Sequence, residues 1–265
     1  MEWLALVAAI VVAIPAIAWL SQDKLVFFPQ PLVDTSHLPA HAQRFDLVAA
    51  DGAKLSGFRL PGAGPRAPTI LYFGGNAEEI SWALADRRWP RGRAVAGLNY
   101  RGYGHSEGKP AERELVADGL ALFDAIVAQP DVDASRVVVV GRSLGTGVAA
   151  QVAARRPVAG VVLVSPYDSL VAIGRQHYPW LPVGWLLRHR FDSASVARHG
   201  SAPLLTLVGT ADGIIPPARS RALHEAWAGP KQWVAIEGAG HNDLDASPRY
   251  WQAIDRFLER LPAAS

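Results

Sequence analysis

Two pentapeptides in the chain follow the pattern G-x-S-x-G, which can hold a serine on a strained turn where its hydroxyl acts as a nucleophile. They are GHSEG (104–108) and GRSLG (141–145). Such a serine needs a strand before it and a helix after it, because this turn lifts the hydroxyl above the sheet, beside a base and unpaired N–H groups. RVVVV precedes Ser143 and LGTGVAAQVAARR follows it, whereas Ser106 lies in a glycine-rich loop that leads into a proline. Ser143 is therefore the predicted nucleophile, and Ser106 a turn residue that helps to shape the pocket.

A serine becomes a nucleophile only beside a general base, and an acid must orient that base. When the nucleophile occupies a turn of this kind, the acid and then the histidine follow it along the chain. Asp212 follows the apolar run LLTLVG, and His241 follows the next run, WVAIEG. Both are expected at the carboxyl ends of strands, where open α/β sheets bind ligands. The predicted triad is Ser143, Asp212 and His241, with Asp168 as an alternative acid.

Acyl transfer through a serine also needs two backbone N–H groups that face the oxyanion of the tetrahedral intermediate. The residue after the nucleophile, Leu144, supplies one of them in this kind of turn. The second is expected from the loop GGNAEE, which follows the apolar run TILYF. Asn76 is the first candidate in that loop and Gly75 the second.

Apolar runs and helical patterns alternate along most of the chain, which predicts an α/β fold with a mostly parallel central sheet and helices on both faces. Strands are expected at 44–50, 54–60, 69–75, 94–100, 136–141, 158–165, 203–209 and 232–238, and helices at 78–89, 112–128, 144–156, 217–228 and 247–261. Residues 166–200 break this alternation and are rich in aromatic residues and arginines. They are expected to form a small cap insert over the site, or else an irregular pair of surface helices.

The N-terminal residues 3–20 are all apolar or proline. A helix of this length spans about 27 Å, close to the thickness of the hydrocarbon core of a bilayer. Residues 1–22 are therefore predicted to form a membrane anchor, and residues 23–265 a hydrolase domain with the cap insert. A cleaved signal peptide and a buried helix are the alternatives. The side of the membrane is left open, although Lys24 after the run weakly favours the cytoplasmic side.

Composition excludes several classes of function. The chain of 265 residues is 50% apolar with a formal net charge of +2, and it has no dense basic run, so nucleic-acid binding is not expected. It contains no cysteine, which rules out disulfides, thiolate metal sites and cysteine nucleophiles. Neither a phosphate-binding loop nor a metal-ligating histidine spacing is present, so no metal or organic cofactor is expected.

Six blocks of sequence occur in an order that resembles serine hydrolases of the α/β-hydrolase superfamily. They are FGGNAEEI, NYRGYGHSEGKP, GRSLGTG, SPYDSL, GTADGIIPP and GAGHNDL. The similarity runs from about residue 25 to the C-terminus and is strongest to a membrane-tethered branch that includes protein depalmitoylases. It implies the same triad and implies that Asn76 and Leu144 supply the oxyanion N–H groups. The family's oxyanion loop usually reads His-Gly-Asn, whereas this chain has Gly74-Gly75-Asn76.

These residues predict a serine esterase or thioesterase that works through an acyl-Ser143 intermediate, on a small-molecule or lipid-like acyl substrate near a membrane. An aminopeptidase-like amide hydrolase is the alternative, and it would need acidic residues to hold the substrate's α-amine. Glu78, Glu79 and Glu107 are the candidates for that role. A scaffold that has lost catalysis is the third possibility.

Overall fold

The structure is a computed structural model that describes residues 2–261, and their side chains apart from those of residues 4–12. Within this part of the chain, eight strands form one sheet in the order β1-β2-β4-β3-β5-β6-β7-β8. The strands are β1 (Gln43–Val48), β2 (Lys54–Leu60), β3 (Ala67–Phe73), β4 (Ala94–Leu98), β5 (Val132–Arg142), β6 (Gly160–Val164), β7 (Leu204–Gly209) and β8 (Lys231–Ile236). Strand β2 pairs antiparallel with β1 and β4, and the strands from β4 to β8 pair in parallel.

Helices cover both faces of the sheet, which is why its central strands are apolar on both sides. Val137 and Val139 face one core layer, and their neighbours Val138 and Val140 face the other. The nine helices found between residues 2 and 261 are α1 (Glu2–Val26), α2 (Ser81–Leu84), α3 (Glu112–Val127), α4 (Leu144–Ala153), α5 (Leu170–His177), α6 (Val183–Leu186), α7 (Ser193–Ala197), α8 (Pro217–Ala226) and α9 (Pro248–Glu259). Side chains of α3 and α4 pack in the first layer, and side chains of α9 in the second. The predicted α/β-hydrolase fold is confirmed.

The helix expected over residues 78–89 is much shorter in the structure. Only Ser81–Leu84 are α-helical, because local side chains bind the backbone on both sides of this segment. The Glu79 carboxylate accepts a hydrogen bond from the amide of Ser81 at 3.1 Å before the helix begins. After the helix, the Asp86 carboxylate accepts one from the amide of Arg88 at 2.9 Å. Local hydrogen bonds of this kind compete with helical ones and end the helix early.

Residues 166–200, the predicted cap insert, connect β6 to β7 and contain the three short helices α5, α6 and α7. The backbone amide of Leu170 donates to the carbonyl of Arg190 at 2.9 Å, which closes this segment on itself. The Ser169 hydroxyl accepts from the amide of Ala172 and caps the start of α5. This segment and helix α1 are neighbours in the fold.

The prediction of an N-terminal membrane anchor, and of a membrane location with it, is wrong. Of the helices within the described residues, none combines the length and the apolarity that crossing a bilayer would require. Helix α1 instead continues to Val26 and is fixed to the domain near its end. Gln22 is 4% exposed, and its side chain bonds the carbonyl of Leu186 at 3.2 Å and the amide of Arg188 at 2.7 Å. Asp23 pairs with the guanidinium of Arg188 at 3.0 Å and with the ring of His189 at 2.9 Å.

Candidate active site

Ser143 occupies the sharp turn between β5 and α4, as its sequence context predicts. Its φ of 51° and ψ of −119° form a strained backbone conformation that few non-glycine residues adopt. The amide of Ser143 donates to the carbonyl of Val164 at 2.9 Å, which holds the turn against β6. The two flanking glycines are needed for close approach, since a Cβ on Gly141 would lie 2.5 Å from the carbonyl oxygen of Gly145, and one on Gly145 would lie 2.1 Å from that of Phe73.

The structure brings Ser143, His241 and Asp212 into one chain of hydrogen bonds. The Ser143 Oγ lies 2.9 Å from the His241 Nε2, and the His241 Nδ1 lies 2.8 Å from the Asp212 Oδ2. The other carboxylate oxygen of Asp212 accepts from the amides of Ile214 and Ile215 at 3.0 and 2.8 Å. Asp212 follows β7 and His241 follows β8, at the same edge of the sheet as Ser143. The arrangement has the geometry of a nucleophile, a base and an orienting acid.

The environment of Asp212 favours its ionised form. Burial alone would raise the pKa of this carboxyl group, but hydrogen bonds from the His241 ring and the Ile215 amide, together with the attraction of the His241 charge, outweigh burial and lower the pKa. An ionised Asp212 accepts a hydrogen bond from the His241 Nδ1, which therefore carries the ring proton. The Nε2 is then free to accept the proton of the Ser143 hydroxyl, which is the tautomer that a general base requires.

The alternative acid and the second G-x-S-x-G serine have other partners in the structure. Asp168 pairs with the guanidinium of Arg219 at 3.0 Å, whereas the candidate histidine is hydrogen-bonded to Asp212. The Ser106 hydroxyl accepts from the amide of Ser56 at 2.9 Å and donates to the carbonyl of Asn99 at 2.8 Å. Ser106 is thus a buried turn residue that joins β2 to the loop after β4, and it does not line the cavity into which Ser143 opens.

The two predicted oxyanion donors flank Ser143 in one cavity. Asn76 and Leu144 both line the cavity into which Ser143 opens. Among the described residues, the backbone amides of Asn76 and Leu144 donate no hydrogen bond, as an oxyanion site requires. Gly75, the second candidate, is excluded because its amide donates to the Oε2 of Glu78 at 2.8 Å.

The carbonyl of Asn76 is fixed from two sides, and the sequence did not predict this. It accepts from the amide of Phe28 at 2.9 Å and from the hydroxyl of Tyr103 at 2.6 Å. The Asn76 side chain also donates to the carbonyl of Val26, at the end of α1, at 3.3 Å. The end of α1 and the segment after it therefore hold the loop that carries Asn76, the candidate oxyanion donor. No sequence signal indicated the contact, because residues 26–28 and 76 are joined only by the fold.

A second set of contacts joins the loop that carries Asn76 to the loop that carries His241. Glu78 accepts from the hydroxyl of Tyr72 at 2.7 Å and from the guanidinium of Arg142 at 3.4 Å. The same guanidinium donates to the side-chain oxygen of Asn242 at 2.9 Å and to the carbonyl of His241 at 3.4 Å. Arg142 and Glu78 therefore link the loop that lacks the family's usual histidine to the loop that carries the candidate base. Arg142 could have been found from its position directly before Ser143.

The cavity beside Ser143 has a volume of about 1030 Å³ and is apolar. Helix α1 and residues 166–200 form most of its walls. Their side chains include Ile14, Ile17, Leu25, Leu170, Ile173 and Leu181. Among the lining residues that the structure describes there is no Asp, Glu, Lys or Arg. A volume at the upper limit of ordinary ligand cavities, with Ser143, Asn76 and Leu144 among the lining residues, suits a large hydrophobic group.

Comparisons with known proteins agree with this fold. A family model described as "Serine aminopeptidase, S33" matches residues 69–200. An uncharacterized protein of Mycobacterium tuberculosis is 36% identical over 262 residues, which cover 96% of this chain and 93% of that protein. An α/β hydrolase domain-containing protein of Arabidopsis thaliana is 29% identical, with 95% and 92% covered.

Solved structures show the same fold at low sequence identity. An esterase of Pyrococcus furiosus superposes with a TM-score of 0.70 at 19% identity, covering 89% of this chain and all of that one. Acetyl xylan esterase 1 of Thermoanaerobacterium gives a TM-score of 0.67 at 19% identity, with 94% of both chains covered. The narrower similarity to a branch with depalmitoylases stays a prediction. The fold, the family model and the relatives together establish that the chain belongs to the α/β-hydrolase superfamily.

Proposed function

We propose that the chain is a serine hydrolase that cleaves a carboxylic ester or an acyl thioester of a hydrophobic acid through an acyl-Ser143 intermediate. One observation carries the proposal: the Ser143 Oγ is hydrogen-bonded to His241 at 2.9 Å and faces the apolar cavity. Esterases among the structural neighbours support the class of reaction, and the apolar cavity supports the class of acyl group. Thioesters are included because of the sequence similarity to protein depalmitoylases.

The proposed reaction has two halves. In the first, the His241 Nε2 takes the Ser143 proton while the Oγ attacks the acyl carbon, and the amides of Asn76 and Leu144 donate to the oxyanion. The bond to the leaving oxygen or sulfur then breaks, and His241 gives its proton to that atom. In the second half, a water molecule loses a proton to His241 and attacks the acyl carbon. The Ser143 ester bond breaks, the Oγ recovers the proton, and the free acid leaves. Asp212 keeps the ring oriented and stabilises its charge throughout.

The aminopeptidase alternative is less well supported, although the matching family model carries that name. In such a reaction the N-terminal residue is the acyl half, so its ammonium would enter the apolar cavity beside Ser143. No carboxylate is among the described residues of that cavity. Glu78 binds the oxyanion loop instead, and Glu107 accepts from the amide of Lys54 at 3.1 Å. Glu79 accepts from the side chain of Asn99 at 2.7 Å. An unpaired ammonium in an apolar site is strongly unfavourable.

The test combines covalent labelling with a chain-length series. The folded protein is treated with a fluorophosphonate, and kcat/KM is measured on p-nitrophenyl esters and acyl thioesters from two to sixteen carbons. We expect labelling at Ser143 and a rise in kcat/KM with chain length. Ser143→Ala should abolish labelling and lower kcat on the order of 10⁶-fold. Ser106→Ala is the matched control, because that serine lies in the other G-x-S-x-G turn, and it should still be labelled.

Three outcomes would contradict the proposal. Activity confined to amino-acid amides would favour the aminopeptidase. Absence of labelling and of turnover in folded protein would favour a scaffold. A preference for acetyl over long-chain esters would show that the apolar cavity does not bind the acyl chain of the substrate.

A further inference from the structure

A second cavity lies next to the candidate histidine and is unlike the first. Its volume is about 310 Å³. His241 lines this cavity, whereas Ser143, Leu144 and Asn76 line the apolar one. Ser143 and His241, which are hydrogen-bonded to each other, therefore line different cavities. In ester cleavage the acyl carbon stays bonded to the serine, and the leaving group takes its proton from the histidine. The second cavity is thus on the side where a leaving group would depart.

The charges around this cavity disfavour an anionic ligand. Three carboxylates line it, those of Glu78, Asp86 and Asp245, against the single guanidinium of Arg142 among the described lining residues. Arg88 pairs with Asp86 at 2.6 Å and with Asp245 at 2.9 Å, which leaves the surroundings with an excess of negative charge. A phosphate or carboxylate would be repelled, and its desolvation would not be offset.

The remaining side chains offer groups that suit hydroxyls. Among the described residues, the Asn242 side-chain nitrogen and the Asp245 Oδ1 have no hydrogen-bond partner, so the cavity offers at least one donor and one acceptor to a ligand. Trp82 stacks one face on the ring of His37 at 3.7 Å and is 66% exposed, which leaves indole surface for the carbon skeleton of a ligand. Trp251 adds a further aromatic wall. Donors and acceptors beside an exposed indole are suited to a polyol.

We propose that the second cavity binds the leaving alcohol, and that this alcohol is an uncharged, hydroxyl-bearing group of the size of glycerol or one sugar ring. The proposal rests on the proposed function. When the tetrahedral intermediate collapses, the bond between the acyl carbon and the alcohol oxygen breaks. That oxygen receives the proton from the His241 Nε2, and the neutral alcohol is left in the second cavity. The acyl chain remains on Ser143 in the apolar cavity.

The experiment compares decanoyl esters that differ only in the alcohol: methyl decanoate, 1-decanoylglycerol, glucose 6-decanoate and 1-decanoylglycerol 3-phosphate. We expect kcat/KM for the glyceryl or the glucosyl ester to exceed that for the methyl ester by about tenfold, the equivalent of about 1.4 kcal/mol. Which of these two is preferred distinguishes glycerol from a sugar. The phosphate ester should be slower than the glyceryl ester. Equal rates for the methyl and both polyol esters, or the fastest rate for the phosphate ester, would overturn the proposal.

Two variants test whether these residues make the difference. Trp82→Ala and Asn242→Ala should each lower the ratio of polyol-ester to methyl-ester kcat/KM toward one. The matched control is Trp185→Ala, because Trp185 is 93% exposed and lines neither cavity, and it should leave the ratio unchanged. Circular dichroism checks that each variant is folded. A wild-type ratio in both folded cavity variants would contradict the proposal.

The two proposals fail in different ways. If the wild-type protein hydrolyses no ester and does not react with a fluorophosphonate, the proposed function fails. If the wild-type protein hydrolyses methyl decanoate, Ser143→Ala does not, and kcat/KM is no higher for the polyol esters than for the methyl ester, only the assignment of the second cavity fails.

Discussion

The two carboxylate oxygens of Asp212 have different partners, one in the candidate site and one in the loop that follows β7. One oxygen accepts from the His241 ring, and the other accepts from the amides of Ile214 and Ile215. The loop contacts fix the carboxylate before any substrate binds, so the imidazole meets a preorganised acceptor. A residue in this role acts on the tautomer and the charge of the histidine, not on the substrate.

Replacing Asp212 by Asn should therefore remove activity with little change in fold. An amide nitrogen in place of Oδ2 donates to Nδ1, and the ring must then carry its proton on Nε2, where it cannot accept the Ser143 proton. We expect kcat for a p-nitrophenyl ester to fall by about 10³- to 10⁴-fold. Asp168→Asn is the control, since that carboxylate pairs with Arg219 outside the site. A kcat within tenfold of wild type in Asp212→Asn would show that another group orients the base.

The sequence indicated the candidate triad but not the contacts that hold its loops in place. Ser143, Asp212 and His241 could be proposed as a triad because each follows an apolar strand, and the carboxyl ends of parallel strands meet at one edge. The contacts of Glu78 with Arg142, and of Phe28 with Asn76, could not be found in this way. They depend on side-chain directions and on loops far apart in sequence, for which a hydropathy pattern holds no information.

At the scale of elements, helix α1 is the largest departure from the sequence-based prediction. An apolar run of this length is consistent with a membrane span and equally with the wall of a cavity, because hydropathy does not say what the apolar face contacts. In the structure its second half lines the apolar cavity, and its end contacts Asn76, the candidate oxyanion donor. The polar residues Gln22 and Asp23, which follow the run, make the contacts that fix the helix.

Gln22→Ala tests whether this attachment matters for substrate binding. The change leaves the carbonyl of Leu186 and the amide of Arg188 without their partners, which should lower the free energy of unfolding by about 1–3 kcal/mol. A less firmly held α1 should also reduce the preference for long acyl chains over short ones, measured as a ratio of kcat/KM. The control is Gln43→Ala, an exposed glutamine at the start of β1 whose change should alter the free energy of unfolding by less than about 0.5 kcal/mol. An unchanged ratio of long-chain to short-chain kcat/KM in Gln22→Ala would show that the attachment of α1 does not determine which acyl chains are preferred.

For the whole molecule, one sheet carries the candidate triad, and helix α1 with residues 166–200 forms most of the apolar cavity. The candidate triad comes from the loops after β5, β7 and β8, and α1 with residues 166–200 encloses the apolar cavity above them. The alternation of strands and helices predicts the first part, because it follows from general rules of α/β sheets. The cavities were not predicted, since their volume and polarity arise from packing between segments that have no regular pattern.

The free energy of unfolding should decrease at acidic pH, because some carboxylates have a lower pKa in the folded state than in the unfolded state. Asp133 is the clearest case, because hydrogen bonds from the side chains of Ser135 and Arg136 lower its pKa from 3.8 to about 2. These contacts lie within β5, where the register with β3 shifts between Ala67 and Thr69. Above about pH 4 the carboxylate is ionised in both states, and its hydrogen bonds stabilise the folded one. As the pH falls, the unfolded state binds the proton first, and this stabilisation is lost between pH 3.8 and about 2.

Asp133→Asn should therefore destabilise the protein in a pH-dependent way. At pH 7 the variant should unfold at a lower urea concentration than the wild type, and the difference should shrink as the pH is lowered through 3.8 and vanish only below about pH 2. Urea unfolding followed by circular dichroism at several pH values measures it. Glu259→Gln, which changes an exposed carboxylate at the end of α9, is the control and should show no such difference. A deficit that stays constant down to pH 2 would mean that Asp133 stabilises β5 by the shape of its side chain, because an effect of its charge must disappear once the folded state also binds the proton.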